Sequence, residues 1–275
     1  MGIINATPDS FSDGAELQMS GANSFQLDIS KALSRAEAML ADGATFIDVG
    51  GESTRPGAAV VSEQEEMDRV IPIIEAIRAR LDVCISVDTS SPIVMEQAIN
   101  SGAELINDVR ALSTPGAIEV VAASKAAVCL MHMQGTPNTM QKDVSDLSYE
   151  SVVEEVFEFL KARVECCLGN GIELSRLLID PGFGFGKTVQ HNYLLLKSLS
   201  TFLSLEIPLL VGISRKSMIG EVTGRSVDQR LAGSIAATTF ALASGAKIIR
   251  THDVAATMDA IRVNSAYSST DAELI

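Results

Sequence analysis

The chain has 275 residues, 47% of them hydrophobic, and carries a formal net charge of −14. That length suits one large barrel or two small domains, and the apolar content is enough for a large core. An acidic surface repels nucleic acid and anionic membranes, no apolar run approaches the ~20 residues of a membrane span, and "MGIINATPDSF" lacks the basic start and apolar stretch of a secretory signal; a cytoplasmic protein with neither partner is expected.

The first apolar run, "GII", ends at Asn5 and leads into a long segment, "NATPDSFSDGAELQMSGANS". Next, "DISKALSRAEAML" places Ile29, Leu33, Ala36 and Leu40 on one face of a helix. "DGATFIDVG" follows, a strand ending on Asp48, and then a second long segment, "GGESTRPGAAVVSEQE". Further runs end at Asp88 ("VCISV"), Asn107 ("SGAELINDV") and His132 ("AVCLM"). A long helix, "SYESVVEEVFEFLKARVECCLGNG", closes at Gly169 or Gly171. "RLLI" then ends at Asp180 and "PLLVGI" at Ser214–Arg215; after the small-residue helix "RLAGSIAATTFALASG", "SGAKIIRTH" ends on Arg250.

Three of these segments share a cadence: Gly-Ala just after a helix, a short apolar strand, then a polar residue. The glycine suits a left-handed helix terminus. The eight runs are short, rich in Ile, Leu and Val, and mostly not alternating, as in parallel strands buried on both faces. Strand and helix alternating eight times argue for a single (β/α)8 TIM barrel over residues 1–275, with a doubly wound open sheet as the alternative. In a barrel the strand-ending polar residues collect on one rim, namely Asn5, Asp48, Asp88, Asn107, His132, Asp180, Lys216, Arg250 and His252. Buried charges at such positions are costly unless paired or bound.

The stretch "IDPGFGFGKT" imitates the phosphate loop G-x-x-x-x-G-K-[ST], but Pro181 stands where its first glycine belongs and Asp180 would repel a phosphate. Lys187 and Thr188 are expected to continue into a helix and bind no nucleotide, so that replacing Lys187 would matter little. The four cysteines form no C-x-x-C pair and are expected to be buried, reduced thiols.

The rim reads as two chemical halves. Asp88, Asn107 and Asp180 make an acceptor-rich pocket for a flat heterocycle with an amino group beside a ring N–H, such as guanine or a pterin. Arg55, Lys216, Arg250 and His252 make a cationic half for a phosphate ester or diphosphate. The two long segments, rich in Gly, Pro, Ser and Asp, are candidate lids.

"NATPDSFSDG", "DVGGESTRPGA", "SVDTS", "INDVRAL", "MHMQGTP", "DPGFGFGKT", "VGISRKSMIG" and "RTHDV" occur in this order from residue 5 to residue 254. With them the chain closely resembles the bacterial dihydropteroate synthases, a pterin-binding TIM-barrel family and the sulfonamide target. That resemblance implies a transferase of folate biosynthesis. It would join 7,8-dihydropterin-6-ylmethyl diphosphate to p-aminobenzoate, giving 7,8-dihydropteroate and diphosphate, with Mg²⁺ as cofactor and a homodimer as the assembly. By motif it implies Asp88, Lys216 and Arg250 as catalytic residues and Asp88, Asn107, Asp180, Lys216 and Arg250 around the pterin. The diphosphate and aminobenzoate fall to Phe11, Thr54, Arg55, Pro56, Phe185, Ser217 and His252, and the metal to Asn5. In this sequence Met1 is followed at once by the first expected strand, where the resembled family usually has a short segment before it. A methyltetrahydrofolate-dependent methyltransferase domain and a non-catalytic pterin-binding protein share the barrel, but neither needs "STRPG" and "SRKS" or an intact cationic cluster.

Overall fold

The computed structural model of the chain describes residues 1–7, 28–53, 61–135 and 149–270. Among them are eight strands: β1 (Gly2–Asn5), β2 (Phe46–Gly50), β3 (Cys84–Asp88), β4 (Leu105–Asp108), β5 (Ala127–Met131), β6 (Leu177–Asp180), β7 (Leu210–Val211) and β8 (Ile248–Ile249). The helices are α1 (Ile29–Ala41), α2 (Glu63–Arg78), α3 (Pro92–Asn100), α4 (Ala117–Ala123), α5 (Val152–Gly169), α6 (Val189–Lys197), α7 (Ser217–Thr223), α8 (Leu231–Ala243) and α9 (Val254–Ser269).

Strands β1 to β6 pair in sequence order and β7 pairs with β8. Two parallel bridges, Ile179 with Leu209 and Thr251 with Gly2, join the two sheets at both edges. The backbone N–H of Ile179 donates to Pro208 at 3.1 Å and that of Thr251 to Met1 at 3.0 Å. The ring is therefore closed. The expected TIM barrel is present and the open-sheet alternative is not, because an open sheet would leave these edges unpaired.

Closure sorts alternate residues to opposite faces. Outward residues such as Ile4, Ile47, Val49, Ile85, Val87 and Ile106 join the helices in one large apolar core. Inward residues Met1, Leu105, Cys129 and Leu210, with Phe46, Leu178 and Ile248 against them, form a second, smaller cluster that floors the barrel. Above the floor the inward positions turn polar. Neighbouring strands align Asn5 with Gly50, Gly50 with Asp88, and Asp88 with Asn107.

The repeated Gly-Ala cadence is a helix-ending device. Gly43, Gly102 and Gly245 have φ of 102°, 109° and 101°. In each case the next residue's N–H reaches back five positions, Ala44 to Met39, Ala103 to Ala98 and Ala246 to Ala241, which is the Schellman pattern. Ile172 closes on Cys167 in the same way, so the long helix α5 uses Gly171 rather than Gly169. Two sequence expectations shift. The face that α1 buries is Ala32, Leu33, Ala36 and Met39, while Ile29 starts the helix in solvent. Of the four free cysteines only Cys129 and Cys167 are buried, and Cys84 and Cys166 are half-buried.

Candidate active site

The rim is organised around Arg250, carried just past β8. Its Nε donates to Asp48 Oδ2 at 2.6 Å and its Nη2 to Asp88 Oδ2 at 2.8 Å. Asp48 is fully buried and accepts two further bonds, from Ser86 Oγ at 2.5 Å and from Asn107 Nδ2 at 3.2 Å. A buried carboxylate hydrogen-bonded on both oxygens fixes the groups around it. Burial acts to lower the Arg250 pKa, but Asp48 and Asp88 outweigh it and hold the guanidinium charged. Burial pushes Asp88 up to about 7, against the pull of Arg250. Gly50 leaves room here: a Cβ on it would lie 3.5 Å from Asp88 Cβ and 3.8 Å from Asn5 Oδ1.

The second group stands on β6 and the loop after β7. Burial raises the Asp180 pKa, opposed by Lys216 and by the Gly182 N–H, which donates to Asp180 Oδ1 at 2.7 Å. Burial brings Lys216 down to about 8, with Asp180 opposing. The Lys216 ammonium donates to the Phe183 carbonyl and lies 4.6 Å above the centre of the Phe185 ring. Ser217 opens α7 beside it, exposed. On the neighbouring strand's loop, His252 meets Ser214 Oγ through Nδ1 at 3.1 Å and through its backbone N–H at 3.2 Å.

The loop that carries Lys216 is held in an unusual conformation. Arg215 has φ of 57°. Its N–H donates to Ser234 Oγ at 2.9 Å, its carbonyl accepts from Arg230 at 3.0 Å, and its guanidinium clasps Asp253. A left-handed non-glycine residue persists only when its surroundings over-determine it.

The structure thus brings together Asp88, Asn107 and Arg250, and separately Asp180, Lys216 and Phe185. It does not keep acceptors and cations in two halves as the sequence suggested. Arg250 lies against two carboxylates, because an unpaired charge at this depth would be too costly. Two glycines of "GFGFG" have a packing role. Gly182 has φ of 72°, and a Cβ there would fall 1.9 Å from the His132 carbonyl oxygen; at Gly186 it would fall 2.3 Å from that of Gln134. They let this loop pack on its neighbour. Phe11, Thr54, Arg55 and Pro56 lie outside the described residues. Sequence reasoning put Asp48 on the rim but gave it no role, although it ends the same cadence as Asn107 and Arg250. It also set Lys187 aside. Lys187 is buried at the root of the loop, with Thr188 capping α6 after it.

A closed (β/α)8 barrel with a rim of buried carboxylates, an amide and clamped cations belongs to the pterin-binding enzymes, and the model of the family described as "Pterin binding enzyme" matches residues 1–252. The chain is 53% identical over 263 residues to a dihydropteroate synthase of Haemophilus influenzae, covering 96% of this chain and 91% of that one. The crystal structure of the Yersinia pestis dihydropteroate synthase with a sulfonamide drug complex superimposes with a TM-score of 0.91 at 48% identity, covering 98% of this chain and 94% of that one. The Xanthomonas albilineans dihydropteroate synthase with 4-aminobenzoic acid gives 0.88 at 45% identity, with 98% and 93% covered. The chain belongs to the dihydropteroate synthase family.

Proposed function

We propose that the chain joins 7,8-dihydropterin-6-ylmethyl diphosphate to p-aminobenzoate, releasing diphosphate and forming 7,8-dihydropteroate. The observation that carries this reading is the Arg250 guanidinium held between Asp48 and Asp88 at the mouth of the barrel. Asp180, with Asn107 beside Asp88, offers acceptors to the amino and ring N–H edge of the pterin. Lys216, within electrostatic reach of Asp180, Asp88 and Arg250, donates to the same ring. Supporting relatives include one solved with a sulfonamide drug and one with 4-aminobenzoic acid.

The chemistry is substitution at the methylene carbon. Diphosphate departs with the C–O electron pair, and Arg250 and His252 take up its growing charge. The pterin ring is left cationic, and that charge draws the Asp88 proton equilibrium towards the carboxylate, which stabilises it. The aniline nitrogen then attacks the methylene carbon and loses its proton. No side-chain nucleophile is required. Phe185 and Ser217 flank the attacking amine, and the family motifs assign the same substrate to Phe11, Thr54, Arg55 and Pro56. Aminobenzoate is expected to bind weakly alone and more tightly once diphosphate is present.

Mg²⁺ fits this rim as an ion held largely by substrate. Among the described residues no three His, Cys, Asp or Glu side chains gather as a metal cage, and Asn5 offers a single amide oxygen beside Asp88. Mg²⁺ characteristically takes one or two protein oxygens and completes its shell with water and phosphate. Bound there it would screen the leaving diphosphate.

A homodimer would bury the neighbouring helices α8 and α9, which expose Phe240, Val263 and Tyr267 at 63%, 66% and 78%. Free cysteines favour the cytoplasm, and among the described residues no helix is long and apolar enough to cross a membrane. The decisive experiment is product formation from the two substrates with and without Mg²⁺. Pterin binding without turnover in either condition would leave a binding protein, and methyl transfer from methyltetrahydrofolate would leave the other enzyme of this fold.

A further inference from the structure

Lys187 is 7% exposed. Its ammonium donates to Gly182 O at 2.8 Å, to Phe185 O at 3.1 Å and to His132 Nδ1 at 2.9 Å, with His132 O at 3.3 Å. A lysine at this depth is tolerated only when its three donors are satisfied. The contact at Nδ1 makes that nitrogen the acceptor, so neutral His132 carries its proton on Nε2. Burial, reinforced by the Lys187 charge, pushes His132 down to about 3, and its ring meets Phe159 edge-on at 5.0 Å.

These acceptors belong to two loops. His132 follows β5, while Gly182 and Phe185 follow β6. Gly182 accepts from Lys187 through its carbonyl and gives its N–H to Asp180 Oδ1. Phe185 accepts through its carbonyl and turns its ring under Lys216. The helix side is fixed as well. Asn192 of α6 donates to Lys187 O at 3.2 Å and accepts from the Gly184 N–H at 2.7 Å.

We propose that Lys187 is a positioning residue for pterin recognition, clamping the β6–α6 loop to His132 so that Asp180 and Phe185 meet the substrate in one fixed arrangement. The proposal rests on the pterin site described above. The segment that imitates a phosphate loop is then a loop wrapped around its own lysine. Its carbonyls point inward at an ammonium, the reverse of N–H groups pointing at a phosphate.

Lys187 also contributes charge. The groups facing Asp180 are Lys216, Lys187 and Arg250, with the Cys129 thiol beneath. Burial pushes the Lys187 pKa well below the usual lysine value, with Asp180 pulling it back up; the charge it keeps holds the Asp180 pKa down, so Lys187→Met lets that pKa rise further and any step needing the carboxylate fails at a higher pH. A lysine that only held the fold together would lower the folded fraction and leave that pH unmoved.

The test is calorimetric titration of the full chain with 6-hydroxymethylpterin from pH 5 to 9, alongside thermal unfolding. Lys187→Met is expected to weaken binding at least about tenfold, which is ~1.4 kcal/mol, and to move the acid limb of binding upward in pH. Binding at the wild-type Kd with an unmoved acid limb overturns the proposal. Should Lys187→Met not fold, His132→Ala, which removes the Nδ1 acceptor, is expected to weaken pterin binding several-fold; wild-type affinity there overturns it equally. A wild-type chain that bound no pterin would overturn the site reading itself.

Discussion

Arg250 and Asp48 stand 202 positions apart in the chain, and their side chains meet inside the barrel at 2.6 Å, Nε to Oδ2. Asp48 is fully buried, while Asp88, the other partner of Arg250, keeps 12% of its side chain accessible. The two carboxylates therefore have separate work. Asp48 anchors the guanidinium from below, and Asp88 shares it at the surface a substrate reaches.

Replacing each by its isosteric amide separates those roles. Asp88→Asn is expected to lower kcat by ~10²-fold or more, the scale of a lost electrostatic contact to developing charge, with thermal unfolding nearly unchanged because Asp48 still holds Arg250. Asp48→Asn removes the charge from a buried, hydrogen-bonded pair and is expected to cost about 3–5 kcal/mol of stability, with activity lost as Arg250 shifts. Steady-state kinetics and thermal melts on both variants check this. Near-normal turnover in Asp88→Asn would remove its charge-stabilising role.

Lys216 should set the alkaline limb of activity. Burial brings its pKa down to about 8, so the ammonium is present below that pH and lost above it. kcat/KM for the pterin substrate is expected to fall as pH rises through about 8 in the free enzyme. Lys216→Met should lose ~10²-fold below about pH 8, with the gap closing above it as the wild type loses its own ammonium, and Lys216→Arg should abolish the alkaline limb, since guanidinium stays charged. A pH–rate profile of Lys216→Arg with the wild-type alkaline limb would assign that limb elsewhere.

The barrel was legible because its evidence is local. Each strand is one short apolar run, and each Gly-Ala after a helix reports a backbone that must turn left-handed, as at Gly43, Gly102 and Gly245. Asp88, Asn107, Asp180 and Arg250 were legible because a polar residue ending a buried strand has only the rim to go to. Pairing was not legible, since it depends on which strands become neighbours and which way each side chain leans. Nothing near Asp48 in sequence announces Arg250, and nothing near Lys187 announces His132. The reading of two chemical halves missed the Arg250–Asp88 pair for that reason: it set the two residues apart by charge, whereas burial pairs them.

Gly182 and Gly171 make a matched pair for testing the loop. Both have positive φ, 72° and 81°, but a Cβ at Gly182 meets the His132 carbonyl at 1.9 Å while at Gly171 nothing lies within 4 Å. Alanine at Gly171 should cost only the left-handed penalty, ~1–2 kcal/mol, with kcat/KM unchanged. Alanine at Gly182 pays that penalty and also forces the loop off His132, displacing the N–H that holds Asp180. A loss of pterin affinity confined to Gly182→Ala is expected, and equal kinetics in the two variants would show that the close approach does not matter.

Glu66 is buried in α2 beneath Gly51, and its Oε1 has no hydrogen-bond partner among the described residues. Burial pushes its pKa from 4.5 up to about 7, helped by Glu52 and Glu63 and opposed by the Thr89 hydroxyl and Arg69. A carboxyl whose pKa is raised by folding binds its proton more tightly in the native state. Between about pH 4.5 and 7 the folded chain therefore holds a proton that the unfolded chain has released, and this group's contribution to stability falls as pH rises across that window. Above it the cost of the buried charge is fully felt. Glu66→Gln carries no charge at any pH, so it is expected to raise Tm at pH 8 and to change it little at pH 4.5. At ~2–4 °C per kcal/mol for a chain of this size, the difference is readable by thermal melts at the two pH values. A Tm shift that is the same at both would mean that Glu66 is not the proton-binding group.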